Sequence, residues 1–568
     1  MYVVLHRSAP GLVSATQLSE CGSTVAEAEI PAEDVCSFVA DREREHPRWV
    51  WDSTANWYPQ MLARGIRVAR CVDLALSHAI LRMSALTATS ELARTDDGRW
   101  DDFEPSAESV DDAALFSLEA DADADTRLAI DPVAELRLQR AAVAGAAETG
   151  RIRLLLAAES AGALIAAEMR FAGLPWRSEV HDRLLTELLG PRVPHGVRPL
   201  KMAALTDRIR TALDAPSLNP DSQADLLRAL RTTGLTVTST RAWELRELEH
   251  PAIAPLLEYK KLSRLLTANG WSWMDSWIVD GRFHPDYVPG AVVTGRWATR
   301  GGGALQLPKQ IRGAVVADPG WKLVVADAAQ LEPRILAALS ADSAMAAAGR
   351  GHDLYDGIVA SGAVDTRAHA KVAMLGAMYG ATTGDSARLV PRLARAYPRA
   401  IALVEDAART GERGDVVTTW LGRSSPRPGA RWLETQARAY DPDASTSDER
   451  AARGQARDWG RFTRNFVVQG SAAEWALCWM AELRKSLAAY RGAAGAAASR
   501  APEVFAREPH LVFFLHDEVI VHAPEGAADE VALMIREAAA TAGRLLFGSF
   551  PVDFALSVAI VDRYSDAK

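Results

Sequence analysis

A chain of 568 residues, 48% hydrophobic and 24% charged, holds enough apolar material for roughly two to four domains, which excludes a fibre or a wholly disordered protein. No apolar run reaches the roughly 18 residues that cross a bilayer, and Met1–Pro10 lacks a charged start before a long apolar stretch, so a cytoplasmic protein with no membrane partner is expected. Cys21, Cys36, Cys71 and Cys478 are scattered with no Cys-x-x-Cys pair, which speaks against a zinc site and suits a reducing compartment.

Residues 1–94 mix short apolar runs, Tyr2–Leu5 and Trp49–Trp51, with a helical stretch at Asp73–Met83, the pattern of a small α/β domain. Residues 95–130 form an acidic linker. Between Asp96 and Asp125 stand twelve acids against Arg99 alone, so the net charge of -9 is concentrated there and the rest of the chain carries +2. That distribution removes the objection that an acidic protein makes a poor phosphate binder. The run reads as a solvated linker, with an electrostatic guard on one face as the alternative reading.

From residue 131 onward, helical spacing dominates Val133–Ala147, Ile152–Ala172 and Leu200–Leu213; Pro216–Pro220 interrupts it and Ser222–Leu230 restarts a helix. Trp321–Ala326 reads as a buried strand that delivers Asp327 to its end, just before a helix beginning near Leu331. Arg367, Lys371, Leu375 and Tyr379 recur every four residues on a predicted helix and so share one slowly drifting stripe. Asp441–Arg453 and Arg491–Arg500 look inserted, the second as an exposed low-complexity loop without chemistry. His510–Leu515 and Val519–His522 read as a hairpin with Asp517 and Glu518 at its tip.

If the strand and the hairpin are neighbours, Asp327 and Asp517 face one another and can hold two Mg²⁺ ions, which need few protein oxygens because phosphate and water complete the shell. Either aspartate alone is more often a strand-end cap. A guanidinium and an ammonium one turn apart, Arg367 and Lys371, suit a triphosphate, although a solvated basic edge has the same spacing.

Together, Asp327-Ala328-Ala329-Gln330-Leu331-Glu332-Pro333-Arg334, the helix from Arg367 to Gly380, and His516-Asp517-Glu518 resemble motifs A, B and C of the family A DNA polymerases, the group of bacterial DNA polymerase I. Thr294-Gly295-Arg296, Leu305-Gln306, Thr419–Arg423 and the four-residue spacing of Arg461, Asn465 and Gln469 extend the resemblance, which covers roughly Val133–Lys568. It implies an α+β multidomain protein in which a right-hand polymerase fold, residues 131–568, follows a small exonuclease-like domain of RNase H type. Within it the thumb would span about 170–275, the palm about 276–345 and 425–568, and the fingers about 346–424.

The resemblance also implies roles. Asp327, Asp517, Glu518 and Lys371 would be catalytic, with Asp327, the Ala328 carbonyl and Asp517 holding two Mg²⁺ ions, for which Mn²⁺ substitutes. Gln330, Glu332, Arg367, Lys371, Leu375 and Tyr379 would bind the incoming dNTP. Arg296, Gln306, Arg461, Asn465, Gln469 and His516 would touch primer-template DNA, the other partner of a protein expected to act as a monomer. An arginine suits a check on the primer terminus because minor-groove acceptors are nearly alike for all correct pairs. Glu332 matches the family residue that blocks a ribose 2′-hydroxyl, which disfavours a single-subunit RNA polymerase; the intact Asp327, Asp517, Arg367 and Lys371 disfavour a silent DNA-binding scaffold.

Two departures stand out. Ala328 and Ala329 occupy positions where the family carries Tyr-Ser, and Leu375 stands where it carries Phe or Tyr. The amino-terminal region weakly resembles the family's 3′-5′ exonuclease domain, but its first strands offer Glu20, Glu27 and Glu29 without an Asp-x-Glu, and Pro59 stands near where the second motif's aspartate belongs. Proofreading is therefore expected to be absent, and no 5′-nuclease region is expected ahead of it.

Overall fold

The computed structural model describes residues 1–95, 100, 131–194, 196–381, 384–492 and 495–567, so all twelve acids of the linker lie outside the described residues. The amino-terminal sheet contains β1 (Tyr2–Ala9), β2 (Leu12–Leu18), β3 (Thr24–Pro31), β4 (Arg48–Trp51) and β5 (Cys71–Asp73), in the order β3-β2-β1-β4-β5. β1, β4 and β5 run parallel, while β2 and β3 complete an antiparallel edge. The run Trp49-Val50-Trp51 is apolar throughout because both faces of β4 are covered, and all three side chains are fully buried. At the edge, β3 is solvated apart from Ile30, and Glu27, Glu29 and Pro31 make it a poor template for further pairing.

This unit is the small α/β domain expected from the sequence. The Pro132–Ala144 helix also packs on it, with Leu136 meeting Val4, Leu18 and Val50. The Thr149–Ala172 helix then ties the unit to the rest of the molecule through buried Glu168, which accepts hydrogen bonds from Tyr58 (2.6 Å), Arg67 (3.3 Å) and Arg484 (2.7 Å). Burial alone would raise this carboxyl, but the two guanidiniums prevail and hold it down at about 2.

The second sheet is antiparallel. Its strands are β6 (Trp321–Ala328), β7 (His510–Leu515), β8 (Glu518–Pro524) and β9 (Leu556–Val561), ordered β7-β8-β6-β9. The Ala528–Phe547 helix packs against it, and the 43-residue Thr446–Ala488 helix lies alongside. Leu323, Val324, Val325 and Ala326 are buried as a result, whereas Asp327 at the end of the run is partly exposed. The Arg367–Tyr379 helix starts where Thr366 Oγ1 accepts from His369 N–H (3.1 Å) and stops at Gly380, whose φ of 71° a side-chain-bearing residue rarely adopts. Ala370, Ala373, Met374 and Ala377 form its buried face, and the four-residue stripe points away from them.

One expectation changes. Glu518 is not at the hairpin tip: it opens β8 opposite both Leu515 and Asp327, and its buried carboxylate accepts from Tyr564 with Arg312 at 3.8 Å. Within the polar, acidic stretch Asp441–Arg453, Ser445 and Asp448 form a reciprocal capping box that starts the long helix at Thr446. Residues 495–500 are mostly exposed and irregular, yet Ala496 O accepts from Trp321 Nε1 (2.9 Å), Arg500 O accepts from Arg282 Nε (3.2 Å), and Ala498 is buried. Low side-chain complexity concealed those contacts because two of the three are made by backbone carbonyls.

Candidate active site

The catalytic carboxylates expected from the sequence come from two segments joined by a backbone hydrogen bond, Ala328 N–H to Asp517 O at 2.8 Å. β6 carries Asp327 immediately before that bond, and the β7–β8 turn carries Asp517 at it. The turn is tight: His516 adopts φ 59°, and Asp517 N–H returns to Leu515 O at 2.8 Å. Among the described residues no cluster of three or more His, Cys, Asp or Glu gathers, so the candidate donor set is these two aspartates and the Ala328 carbonyl. Glu518 lies directly opposite Asp327 in the register, and its carboxylate accepts from the Tyr564 hydroxyl.

Beside this edge is a cleft of about 190 Å³. His516 and Asp517 line one side, Gln330, Glu332, Leu375 and Tyr355 another, and Arg296 a third, with Trp297 and Phe514 beneath in edge contact at 5.2 Å. Gln330 adopts φ 50° as it starts the Leu331–Leu339 helix, and this turn brings Glu332 into the cleft rather than back over β6. The Glu332 carboxylate is gripped from both sides, by Arg296 and by the Tyr379 hydroxyl (2.8 Å). Partial burial and the Glu332 carboxylate push the Tyr379 phenol up to about 12, so it remains a donor across the physiological range.

Leu375 is more than a third exposed and lines the cleft, so it is not a core residue. Lys371 and Arg367 continue its helical stripe outward. Lys371 is exposed with no ion pair among the described residues, while Arg367 reaches Asp353 at 2.7 Å and lies over the Tyr355 ring. Asp353 accepts from Gln330 Nε2 as well (2.9 Å). Burial works to raise the Asp353 carboxyl, but Arg367 and the backbone N–H groups of Asp356 and Tyr355 bring it below its ordinary value.

Of the expected DNA contacts, Gln469 accepts from Thr294 Oγ1 (3.1 Å), which fastens the long helix to the turn preceding Arg296. Arg461 packs beside Gly380, directly after Tyr379, and Asn465 lies one turn from each on the same helix. Exposed Gln306 is set apart from the cleft and is 3.4 Å from Arg264.

Sequence reasoning missed two supports. Asp353, the N-cap of the Leu354–Ala360 helix, joins Gln330 to Arg367. Arg423 packs against Gly295, where an added Cβ would lie 2.6 Å from its Nε, and is held by buried Glu159 from the Thr149–Ala172 helix. Its partner is 264 positions away in the chain, and no local pattern signals a contact at that range.

A family model described as DNA polymerase family A matches residues 200–565. The thermostable DNA polymerase I of Thermus filiformis is 28% identical over 351 residues, which cover 58% of this chain and 38% of that protein. DNA polymerase I of Chloroflexus aurantiacus is 27% identical over 349 residues, covering 56% and 33% respectively. The chain thus spans well under half the length of the curated relatives it matches. A solved structure, the POL domain of Pol1 from M. smegmatis in complex with DNA primer-template and dNTP, superimposes with a TM-score of 0.68 at 19% identity, covering 98% of this chain and 93% of that chain. At that identity the likeness bears on the fold, which is the α+β right-hand polymerase architecture behind a small α/β unit. With the family model matching well over half of its residues, the chain belongs to DNA polymerase family A.

Proposed function

We propose that this protein is a template-directed DNA polymerase that extends a primer 3′-hydroxyl with dNTPs. The observation that carries the reading is the Ala328–Asp517 backbone bond, which joins the two aspartate-bearing segments beside a cleft lined by Asp517, Glu332 and Leu375. The donor set fits Mg²⁺, a hard cation that keeps water and phosphate oxygens and is satisfied by few protein ligands. Asp327, Asp517 and the Ala328 carbonyl would hold it, and when bound it supplies a lowered pKa for the attacking hydroxyl and charge neutralisation at the leaving pyrophosphate.

The chain's own residues do the rest. Arg367 and Lys371 bind the triphosphate, the former exchanging Asp353 for phosphate oxygens, and Lys371 is the candidate proton donor to pyrophosphate. Arg296, fixed by Glu332 and supported through Gly295 by Arg423, addresses the primer terminus. Gln469, Asn465 and Arg461 follow the template side. Primer extension with dNTPs or rNTPs, with and without Mg²⁺, tests the whole assignment: metal-dependent dNTP incorporation is expected, and a protein inert under all four conditions is a scaffold.

Leu375 leads to a more specific expectation. An apolar side chain against the sugar cannot replace the hydrogen bond lost when a nucleotide lacks its 3′-hydroxyl, whereas a phenol can. The protein should reject ddNTPs and Leu375→Tyr should accept them, with the dNTP/ddNTP rate ratio falling by about tenfold or more on one template. Equal ratios would show that the side chain does not reach the sugar.

The reading includes no proofreading, and gap-filling repair as its setting by family analogy. Asp73 gives its carboxylate to Thr54 N–H (2.7 Å) and Leu76 N–H (3.1 Å), and burial pushes it up to about 6. Asp52 accepts from Asn56 and Trp57. Asp73 therefore caps the Leu74–Met83 helix, and Asp52 is engaged by two side chains of the Thr54–Ala63 helix. Incubated with a mismatched 3′ end and no dNTPs, the protein should leave the primer intact. Metal-dependent shortening that persists in Asp327→Asn would reveal a second hydrolytic centre.

A further inference from the structure

We infer that the amino-terminal unit holds a second ligand site, for a nucleotide-sized molecule bearing a phosphate, in the cleft between its sheet and the next two helices. The cleft measures about 470 Å³. Its floor is formed by Tyr2, Arg48 and Cys71, the first residues of the parallel strands β1, β4 and β5. Asp52 and Asp73 lie at the opposite ends of β4 and β5, so this is not the place where exonuclease-type acids would stand. Arg140 enters from the Pro132–Ala144 helix, Arg153 from the Thr149–Ala172 helix and Ser77 from the Leu74–Met83 helix.

Three guanidiniums therefore converge on one cavity, with Glu20 as the only lining acid among the described residues. Neither Arg48 nor Arg153 has an ion pair among the described residues. Arg140 spends Nη2 on the Glu20 carbonyl and lies over the Tyr2 ring at 5.0 Å. Its Nη1 is buried with no partner among the described residues, and so is the hydroxyl of Ser77, a residue only 1% exposed. Buried polar atoms are rarely left unpaired, and both of these belong to residues that line the cleft, so an acceptor bound there would give them a partner once the side chains turn toward it. Like charges brought together cost free energy until an anion joins them, and a guanidinium's fork matches phosphate oxygens.

Volume sets the size of the ligand. The cavity falls within the few hundred Å³ or more that small-molecule sites occupy, far more than a bare phosphate fills. The remaining wall combines apolar Leu136, Val143 and Leu156 with polar Gln139 and Ser160, a mixture that suits a base and sugar.

Calorimetric titration of the full chain with dAMP, inorganic phosphate and deoxyadenosine tests the site. One saturable dAMP site is expected, tighter than phosphate and much tighter than deoxyadenosine. Arg48→Gln/Arg140→Gln should weaken it at least about tenfold, Ser77→Ala should weaken it less, and Lys371→Ala in the polymerase cleft should leave it unchanged. Arg153→Glu, at an exposed position that does not risk the fold, should also weaken dAMP by about tenfold. Absence of saturable dAMP binding overturns the proposal, as does binding that survives both arginine variants or disappears with Lys371→Ala. Deoxyadenosine equal to dAMP would exclude an anion site, and phosphate equal to dAMP would exclude a nucleotide.

Discussion

Changing Asp327 or Asp517 to asparagine is expected to lower primer extension at least about a hundredfold while leaving primer-template affinity nearly unchanged. The substitution removes charge and keeps shape. The two segments are joined by the Ala328 N–H and the Asp517 carbonyl, both main-chain groups, so neither variant should disturb the backbone that aligns them. Asp327 is also only partly buried at the end of an otherwise buried strand, and an amide there leaves the core of β6 intact. Single-turnover extension paired with equilibrium binding of a labelled primer-template checks the split. A variant that retains more than a few per cent of the parent rate would remove its residue from the metal-binding role. The opposite pattern, lost binding with normal turnover of bound complex, would make it a DNA contact.

Glu332→Ala is expected to lower dNTP over rNTP selectivity by about tenfold or more, with a smaller fall in dNTP turnover. The side chain lines the cleft while Arg296 and Tyr379 hold it from two directions, so it cannot swing aside for a 2′-hydroxyl. A rigid obstacle discriminates better than a mobile one, since relieving the clash would require breaking a charge-assisted bond. The alanine variant also leaves Arg296 without this acceptor, and some loss of dNTP turnover follows from that. Tyr379→Phe separates the two effects. It removes one side of the grip and keeps both the Glu332 carboxylate and its bond to Arg296, so selectivity should fall by less than in Glu332→Ala. Selectivity measured as the ratio of kcat/KM values on one template decides the matter. Unchanged selectivity in Glu332→Ala sinks the gate, and a parent protein that prefers rNTPs makes it an RNA polymerase.

Local pattern determined a good deal of this protein by itself. The apolar run ending at Asp327 and the hairpin around Asp517 are continuous because both faces are buried, and the stripe of Arg367, Lys371, Leu375 and Tyr379 is the exposed face of one helix, so each is a pattern of a single element. The short apolar runs Tyr2–Leu5 and Trp49–Trp51 fall within the amino-terminal strands Tyr2–Ala9 and Arg48–Trp51. Tertiary structure decided the rest. Whether Asp327 and Asp517 are adjacent depends on an antiparallel register between segments almost 200 positions apart, which sequence spacing does not encode. Glu518, one residue from Asp517, is bound by the Tyr564 hydroxyl, a partner 46 positions away that no local pattern signals. The grip on Glu332, the Asp353 link between Gln330 and Arg367, and the Glu159–Arg423 strut under Gly295 all join distant segments. Such contacts form between side chains whose partners are chosen by packing, and packing is a property of the assembled core rather than of any stretch of chain.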